Sequence, residues 1–337
     1  MLFDEDYYRR VIAEYGYDPT ELRPIDFALG RVDASTLAAK WICHHEGDIF
    51  AQGVRSGRPS IVTTGVGMSG VPHVGTISQI LKAIFLQKAG LVVQLVLGDL
   101  DAYNSRSRSL AFVSELGERY TAFALALGFD AEEGVLRTQR DHLDVLLTAY
   151  LTANCLRDAD FRATEEELSA LYKERLVYPG IEFPVKLSIL LMAADFIHLC
   201  KTYDHIMVML GIDEHRYVRL TKTAVDRLAI TQHVSAIYSR ITKGFAGYPK
   251  MSKSLAGSSI SVDLPAATIR RMILDEEGAH ATPLDSVVYQ MMCFTSFYTA
   301  SELTELYRDC EQGGQIWSQR KAQYADILID ICDKWPK

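Results

Sequence analysis

The chain is short of positive charge. Lysine and arginine number 35 against 43 aspartates and glutamates, giving a formal net charge of -8. That balance excludes a protein that coats nucleic acid with a basic surface overall, although a local basic patch stays compatible with it. Cysteine is sparse and unpatterned. Cys43, Cys155, Cys200, Cys293, Cys310 and Cys332 contain no Cys-x-x-Cys pair and no zinc-finger spacing to histidine. Reduced thiols in a cytosol are the expectation. Cys43, His44 and His45 are adjacent and point in different directions, so no metal site is expected there. Long apolar runs are missing as well. The stretch from Ile189 to Phe196 is interrupted by Asp195 and is too short to span a bilayer. The opening MLFDEDYYRR is acidic and aromatic, unlike a secretory signal. There are no internal repeats and no low-complexity tracts. A soluble cytoplasmic protein with no membrane partner is expected. Its 337 residues, 48% hydrophobic and 23% charged, suffice for one large domain or two ordinary ones.

What is present is an alternation of short apolar runs and helical periodicity. Residues 3–57 read as amphipathic helix, with Tyr7, Val11, Ile12 and Tyr15 at helical spacing. A strand is expected at 59–64, a glycine-rich turn at 65–75, a helix at 77–89 and a second strand at 91–97. This order is a βαβ unit and implies a parallel sheet with a right-handed crossover. Helices are expected at 107–127, 141–175, 183–200 and 219–238, and a third strand at 206–211. From about residue 263 the pattern is helical to the end. The expected fold is α/β, with a doubly wound, Rossmann-like parallel sheet at 58–260. A helical N-terminal appendage would occupy 1–57 and a small helical C-terminal region 261–337.

Two polar loops carry the chemistry. The first runs from Thr64 to Thr76 and contains Gly65, Gly67, Ser69, His73 and Gly75. Its glycines let a nucleotide approach the backbone, and the helix that follows offers free N–H groups to phosphate. It has neither the dinucleotide fingerprint nor a P-loop lysine. The second is Lys250-Met251-Ser252-Lys253-Ser254, flanked by glycines. Either loop alone is compatible with a plain turn. Together, Pro72-His73-Val74-Gly75-Thr76 and Lys250–Ser254 resemble the two signatures of class I aminoacyl-tRNA synthetases.

Within that class the chain is most similar to the tryptophanyl and tyrosyl enzymes. The run from Gly90 to Asn104 resembles a tyrosyl strand and loop. Leu191-Met192-Ala193-Ala194-Asp195 resembles a tryptophanyl helix. Gly211-Ile212-Asp213-Glu214 through Thr221 resembles the archaeal and eukaryotic tryptophanyl run Ile-Asp-Gln-Asp-Pro-Tyr-Phe-Arg-Leu-Thr. The resemblance implies ATP-dependent activation of an amino acid to an aminoacyl-adenylate, with Mg²⁺ bridging the phosphates, then transfer to tRNA. Tryptophan is the first substrate implied and tyrosine the second. It also implies a homodimer, to which the apolar 77–89 helix and the strand after it are expected to contribute.

By this resemblance, His73, Thr76, Lys250 and Lys253 would be catalytic. Gly65, Gly67, Ser69, Gly75, Asp213, Met251, Ser252 and Ser254 would hold ATP. Thr63, Gln94, Met192, Asp195 and Glu214 would line the amino-acid pocket, with Asp195 accepting from an indole or phenol. The plainer alternative for Asp195 is a helix-face acid that meets lysine or arginine. Three positions depart from the pattern. Thr76 replaces a second His or Asn, Glu214 replaces glutamine, and Thr63 replaces an aromatic residue. Only 83 residues follow Ser254, and the last region is acidic, so weak contact with tRNA is expected. Two other readings stand beside the tRNA ligase: a paralogue that activates an unusual amino acid for a non-tRNA acceptor, and a non-catalytic nucleotide-binding regulator.

Overall fold

The structure, a computed structural model, describes residues 9–10, 12–13, 16–18, 20–106, 108–162, 164, 182–248, 251 and 257–337. Seven strands form one sheet: β1 (Arg23–Pro24), β2 (Cys43–His45), β3 (Ser60–Gly67), β4 (Val93–Gly98), β5 (Val135–Thr138), β6 (His205–Gly211) and β7 (His233–Ser239). Their order is β1-β2-β7-β6-β3-β4-β5. The five strands from β7 to β5 are parallel, and β2 joins β7 antiparallel at one side. From β3 the chain winds outward to β4 and β5, then returns to β6 and β7 on the other side. The crevice beyond the carboxyl ends of β3 and β6 is therefore the topological switch point, where such sheets bind ligands.

The central strands are buried on both faces, which is why they read as unbroken apolar runs. Side chains alternate across the pleat. Val62, Val66, Val93 and Leu95 pack into one core with the Val74–Lys88 helix, through Ile77, Ile80 and Ile84. Ile61, Ile206 and Val208 pack into another with Phe196 and Ile197 of the Phe183–Leu199 helix. After β7 come the helices Ala266–Asp275, Val287–Thr295, Ala300–Gln312 and Gly314–Cys332, as the periodicity foretold. They are tied down at the far end, where Trp335 stands edge-on to Tyr120 and Phe123 at 5.2 and 5.3 Å. Among the described residues no helix is long and apolar enough to cross a membrane.

Several elements differ from the sequence expectation. The segment read as wholly helical before residue 58 also supplies β1 and β2. The helix expected at 219–238 runs only His215–Arg227, and β7 follows. The chain turns at Ala229, whose φ is 51°, a left-handed backbone on a residue that gives no turn signal in sequence. β5 is only four residues long and carried too little pattern to be seen. The Val74–Lys88 helix, expected on a dimer surface, is enclosed between the sheet and the Val287–Thr295 helix, and β4 lies inside the sheet. Part of the helix expected over 141–175 is found as Leu143–Ala153, while 165–175 lie outside the described residues.

Candidate active site

His73 sits at the mouth of the crevice as the N-cap of the Val74–Lys88 helix, where its Nδ1 accepts from the Gly75 N–H at 2.9 Å. A Cβ at Gly75 would come within 2.6 Å of the imidazole Cε1, so only glycine leaves the ring in place. The backbone on either side of His73 pairs with the segment after the lysine loop. The Val74 N–H donates to the Ile260 carbonyl at 2.9 Å, and Val262 N–H to the Pro72 carbonyl at 3.0 Å. On the other side of that loop, buried Met251 donates its N–H to the Thr242 carbonyl at 3.1 Å. Met251 and the segment from Ile260 are thus each held by backbone hydrogen bonds, the latter beside His73. Lys250, Ser252, Lys253 and Ser254 themselves lie outside the described residues.

Gly65 and Gly67 form the carboxyl end of β3, and Ser69 follows, half-buried. A Cβ at Gly65 would meet the Val96 carbonyl at 3.2 Å. At the end of β6, a Cβ on Gly211 would stand 2.6 Å from Asp213 Oδ1. The Asp213 carboxylate therefore rests against bare backbone, in a 3₁₀ turn it shares with half-buried Glu214. Thr76 turns out buried. Its hydroxyl bonds that of Tyr120, which in turn donates to the Gly70 carbonyl at 2.9 Å.

Below the crevice a polar seam crosses three strands. Thr63 on β3 lies opposite Gln94 on β4, and Gln94 Nε2 donates to Thr63 Oγ1 at 2.9 Å. Arg137 on β5 donates from Nε to Gln94 Oε1 at 3.2 Å. Its Nη2 then donates to Asp195 Oδ1 at 2.5 Å, across to the Phe183–Leu199 helix. Gln139 Nε2 donates to the second Asp195 oxygen at 3.1 Å. Asp195, expected as an acceptor for substrate, already holds a guanidinium. Burial pushes its carboxyl up, and Arg137 and then Gln139 pull it back. Met192, one turn earlier on the same helix, is half-buried.

Arg137 and Gln139 were not legible in the sequence, because β5 was not. Asp99 and Asp101 were missed as well, although carboxylates directly after a buried strand are a signal that could have found them. Asp99 is fully buried, accepts from the Gln139 N–H at 2.9 Å and pairs with Arg140 at 3.3 Å. Burial raises the Asp101 carboxyl, against hydrogen bonds from Ser105 and Ser188. Gln79 and Thr64 lock the helix to the sheet: Gln79 Nε2 donates to Thr64 Oγ1 at 2.6 Å and to the Met209 carbonyl at 2.8 Å. Among the described residues no group of three or more His, Cys, Asp or Glu is arranged to hold a metal ion.

Known proteins match this architecture. A profile described as tRNA synthetases class I (W and Y) covers residues 55–310. The tryptophan–tRNA ligase of Hyperthermus butylicus is 24% identical, over 97% of this chain and 90% of its own length. That of Aeropyrum pernix is 26% identical, over 91% and 84%. The C-terminal region expected to be short therefore leaves little of these relatives uncovered. The crystal structure of tryptophanyl-tRNA synthetase from Aeropyrum pernix superposes with a TM-score of 0.79 at 21% identity, covering 98% of this chain and 92% of that one. Tyrosyl-tRNA synthetase from Archaeoglobus fulgidus, complexed with L-tyrosine, gives 0.71 at 20% identity, covering 86% and 93%. With its parallel sheet, its paired signature segments and a profile match over most of its length, the chain belongs to the class I tRNA synthetases of the tryptophanyl and tyrosyl group, a family of ligases.

Proposed function

We propose that the protein joins an amino acid to ATP as an aminoacyl-adenylate, releasing pyrophosphate, and passes the aminoacyl group to tRNA. One observation supports this above others: Pro72–Val74 of the first signature pairs by its backbone with Ile260–Val262, the segment that follows the second signature in the chain. Attack of a carboxylate on the α-phosphate needs positioning and charge neutralisation more than covalent help. The glycines of β3 and Gly75 let ATP lie against backbone, and the helix start at His73 directs N–H groups and a dipole at phosphate. His73 would act from this cap position as a donor to a phosphate oxygen. Lys250 and Lys253 would neutralise the departing pyrophosphate, with Met251, Ser252 and Ser254 shaping the loop. Asp213 would accept from ribose hydroxyls. Ser69 would add a donor beside the phosphates. With no carboxylate cluster to hold it among the described residues, Mg²⁺ would be carried on the ATP phosphates.

The amino-acid pocket would be lined by Thr63, Gln94, Met192, Asp195 and Glu214. The relatives from Hyperthermus butylicus and Aeropyrum pernix are tryptophan–tRNA ligases, and tyrosine–tRNA ligases match over a smaller share of the chain. Tryptophan is accordingly the first candidate by likeness and tyrosine the second. The Arg137–Asp195 pair favours one part of the paralogue reading, activation of an unusual amino acid, and does not bear on the non-tRNA acceptor of that reading. A homodimer would be supported by the exposed apolar residues Leu143, Leu147, Tyr150 and Leu151.

The test is ATP–pyrophosphate exchange across a panel of amino acids, in the wild type and in Lys253→Ala. Exchange with one amino acid, reduced at least about 100-fold in the variant, is expected from loss of transition-state charge stabilisation. Exchange that survives the substitution undiminished removes the assigned role of the loop.

A further inference from the structure

The turn that carries Asp213 and Glu214 is held at both ends. Ile212, just before them, is fully buried in the core that also holds Val218 and Tyr238. His215, just after them, opens the His215–Arg227 helix and is fully buried as well. Glu214 stands in the cap position of that helix and makes no side-chain cap hydrogen bond. The first turn is fixed through the His215 ring instead. The Tyr238 hydroxyl on β7 lies 2.6 Å from its Nδ1, and Glu21 Oε1 lies 3.2 Å from its Nε2. A phenol that donates to Nδ1 leaves the ring proton on Nε2, facing the carboxylate. The Tyr17 ring stands edge-on to the imidazole at 5.0 Å.

Glu21 belongs to the segment before β1, distant from this turn in sequence, and is itself well placed. Its N–H donates to the Asp18 carbonyl at 3.1 Å, and its own carbonyl lies 3.2 Å from His45 Nδ1. Leu22 beside it is fully buried. The Glu21 carboxylate spans one turn of the helix, because Arg219 Nε is 3.7 Å from the oxygen that faces His215. A negative charge at a helix N-terminus also meets the positive end of the helix dipole. His215 holds the Glu21 carboxyl below its usual range.

We propose that Glu21 is a positioning residue for ATP: by holding His215 against Tyr238 it fixes the turn from which Asp213 accepts from the ribose. The inference rests on the reading of Asp213 as that acceptor. Gly211 shows how closely the carboxylate is fitted, since a Cβ there would stand 2.6 Å from Asp213 Oδ1. A displacement of about 1 Å in a group that positions substrate is enough to cost a large factor in rate.

The test compares ATP with 2′-deoxy-ATP and 3′-deoxy-ATP, by affinity read from the rise in melting midpoint with nucleotide alone and by pyrophosphate exchange. The readout is the preference for ATP over the less tolerated analogue, which a general loss of stability does not move. Asp213→Ala is expected to lower that preference at least about tenfold, through loss of a hydrogen bond to a charged acceptor. Glu21→Ala is expected to lower it about fivefold or more, and to add little to Asp213→Ala in the double variant. Lys222→Met breaks the 2.5 Å pair with Glu46 two turns along the same helix and should leave the preference unchanged. An unchanged preference in Glu21→Ala, or an equal fall in Lys222→Met, overturns the proposal. If Glu21→Ala fails to fold, Glu21→Asp keeps the charge and withdraws it by one methylene; it should lower the preference too, and an unaltered one overturns the proposal. A preference that survives Asp213→Ala refutes the ribose reading and the proposal with it. A preference that falls in Asp213→Ala and not in Glu21→Ala refutes the positioning role alone. The expected pattern in melting shifts without any exchange refutes adenylation and supports the positioning role.

Discussion

Two groups of buried charge lie on opposite sides of the sheet and are handled in opposite ways. Under the Phe183–Leu199 helix, Arg137 and Asp195 neutralise each other. On the other side, where the Val74–Lys88 helix meets Val287–Thr295, Lys40 and Lys82 are 3% and 4% exposed. Lys40 donates to the Ser296 and Cys293 carbonyls at 2.9 and 3.3 Å, and Lys82 stands 4.4 Å from the centre of the Phe294 ring. Carbonyls and ring faces offer partial charge where a carboxylate offers a full one. Burial accordingly lowers Lys40 to about 8 and Lys82 to about 7, the latter helped by Lys40 itself. Burial raises the Asp195 carboxyl against the opposing pull of Arg137 and Gln139, and it lowers both lysines, Lys82 furthest.

Breaking the seam should have the largest effect on stability. Asp195→Ala strands Arg137 in the core, and a loss of about 3–5 kcal/mol is expected from chemical denaturation. A loss under about 1 kcal/mol would mean that the guanidinium reaches water and that the two sides do not differ. Lys82→Met sharpens the comparison from the other side. A lysine whose folded pKa is depressed holds its proton less readily in the folded state. Between about 7 and 10.5 the unfolded chain therefore binds more protons, and stability rises with pH across that window. The variant should melt higher than wild type at pH 7 and lose that advantage as pH approaches 10.5. An equal advantage at both ends would show that lost packing or strain, not charge, is involved. The smallest effect is expected at the rim of the seam. Thr63→Val leaves a Gln94 N–H without its acceptor and should cost about 1–3 kcal/mol, read by the same denaturation.

The legible part of the site was the part written in consecutive residues. His73 and its glycines form one turn of chain, so their spacing is set by local geometry, and Met251 marks the lysine loop in the same way. The seam was only half legible. Thr63, Gln94 and Asp195 sit in apolar runs where a polar residue stands out, but their shared partner is on β5, four residues long. The strand order could not be read either, because it depends on which distant runs pair, as β3 does with β6 and β2 with β7. The turn at Ala229 hid β7 for a local reason: no glycine or proline lies between Arg227 and His233.

The sequence by itself determined the alternation of buried strands and helices, the helical C-terminal region and the two signature loops. These follow from periodicity and from residue types a few positions apart. Only the tertiary structure decided that Pro72–Val74 lies against Ile260–Val262, that the Val74–Lys88 helix is interior, and that Asp195 is already paired. Each of these is a contact between distant segments. Such contacts are fixed by how the faces of the sheet are covered, and burial then forces every polar group on those faces to find a partner wherever the fold supplies one.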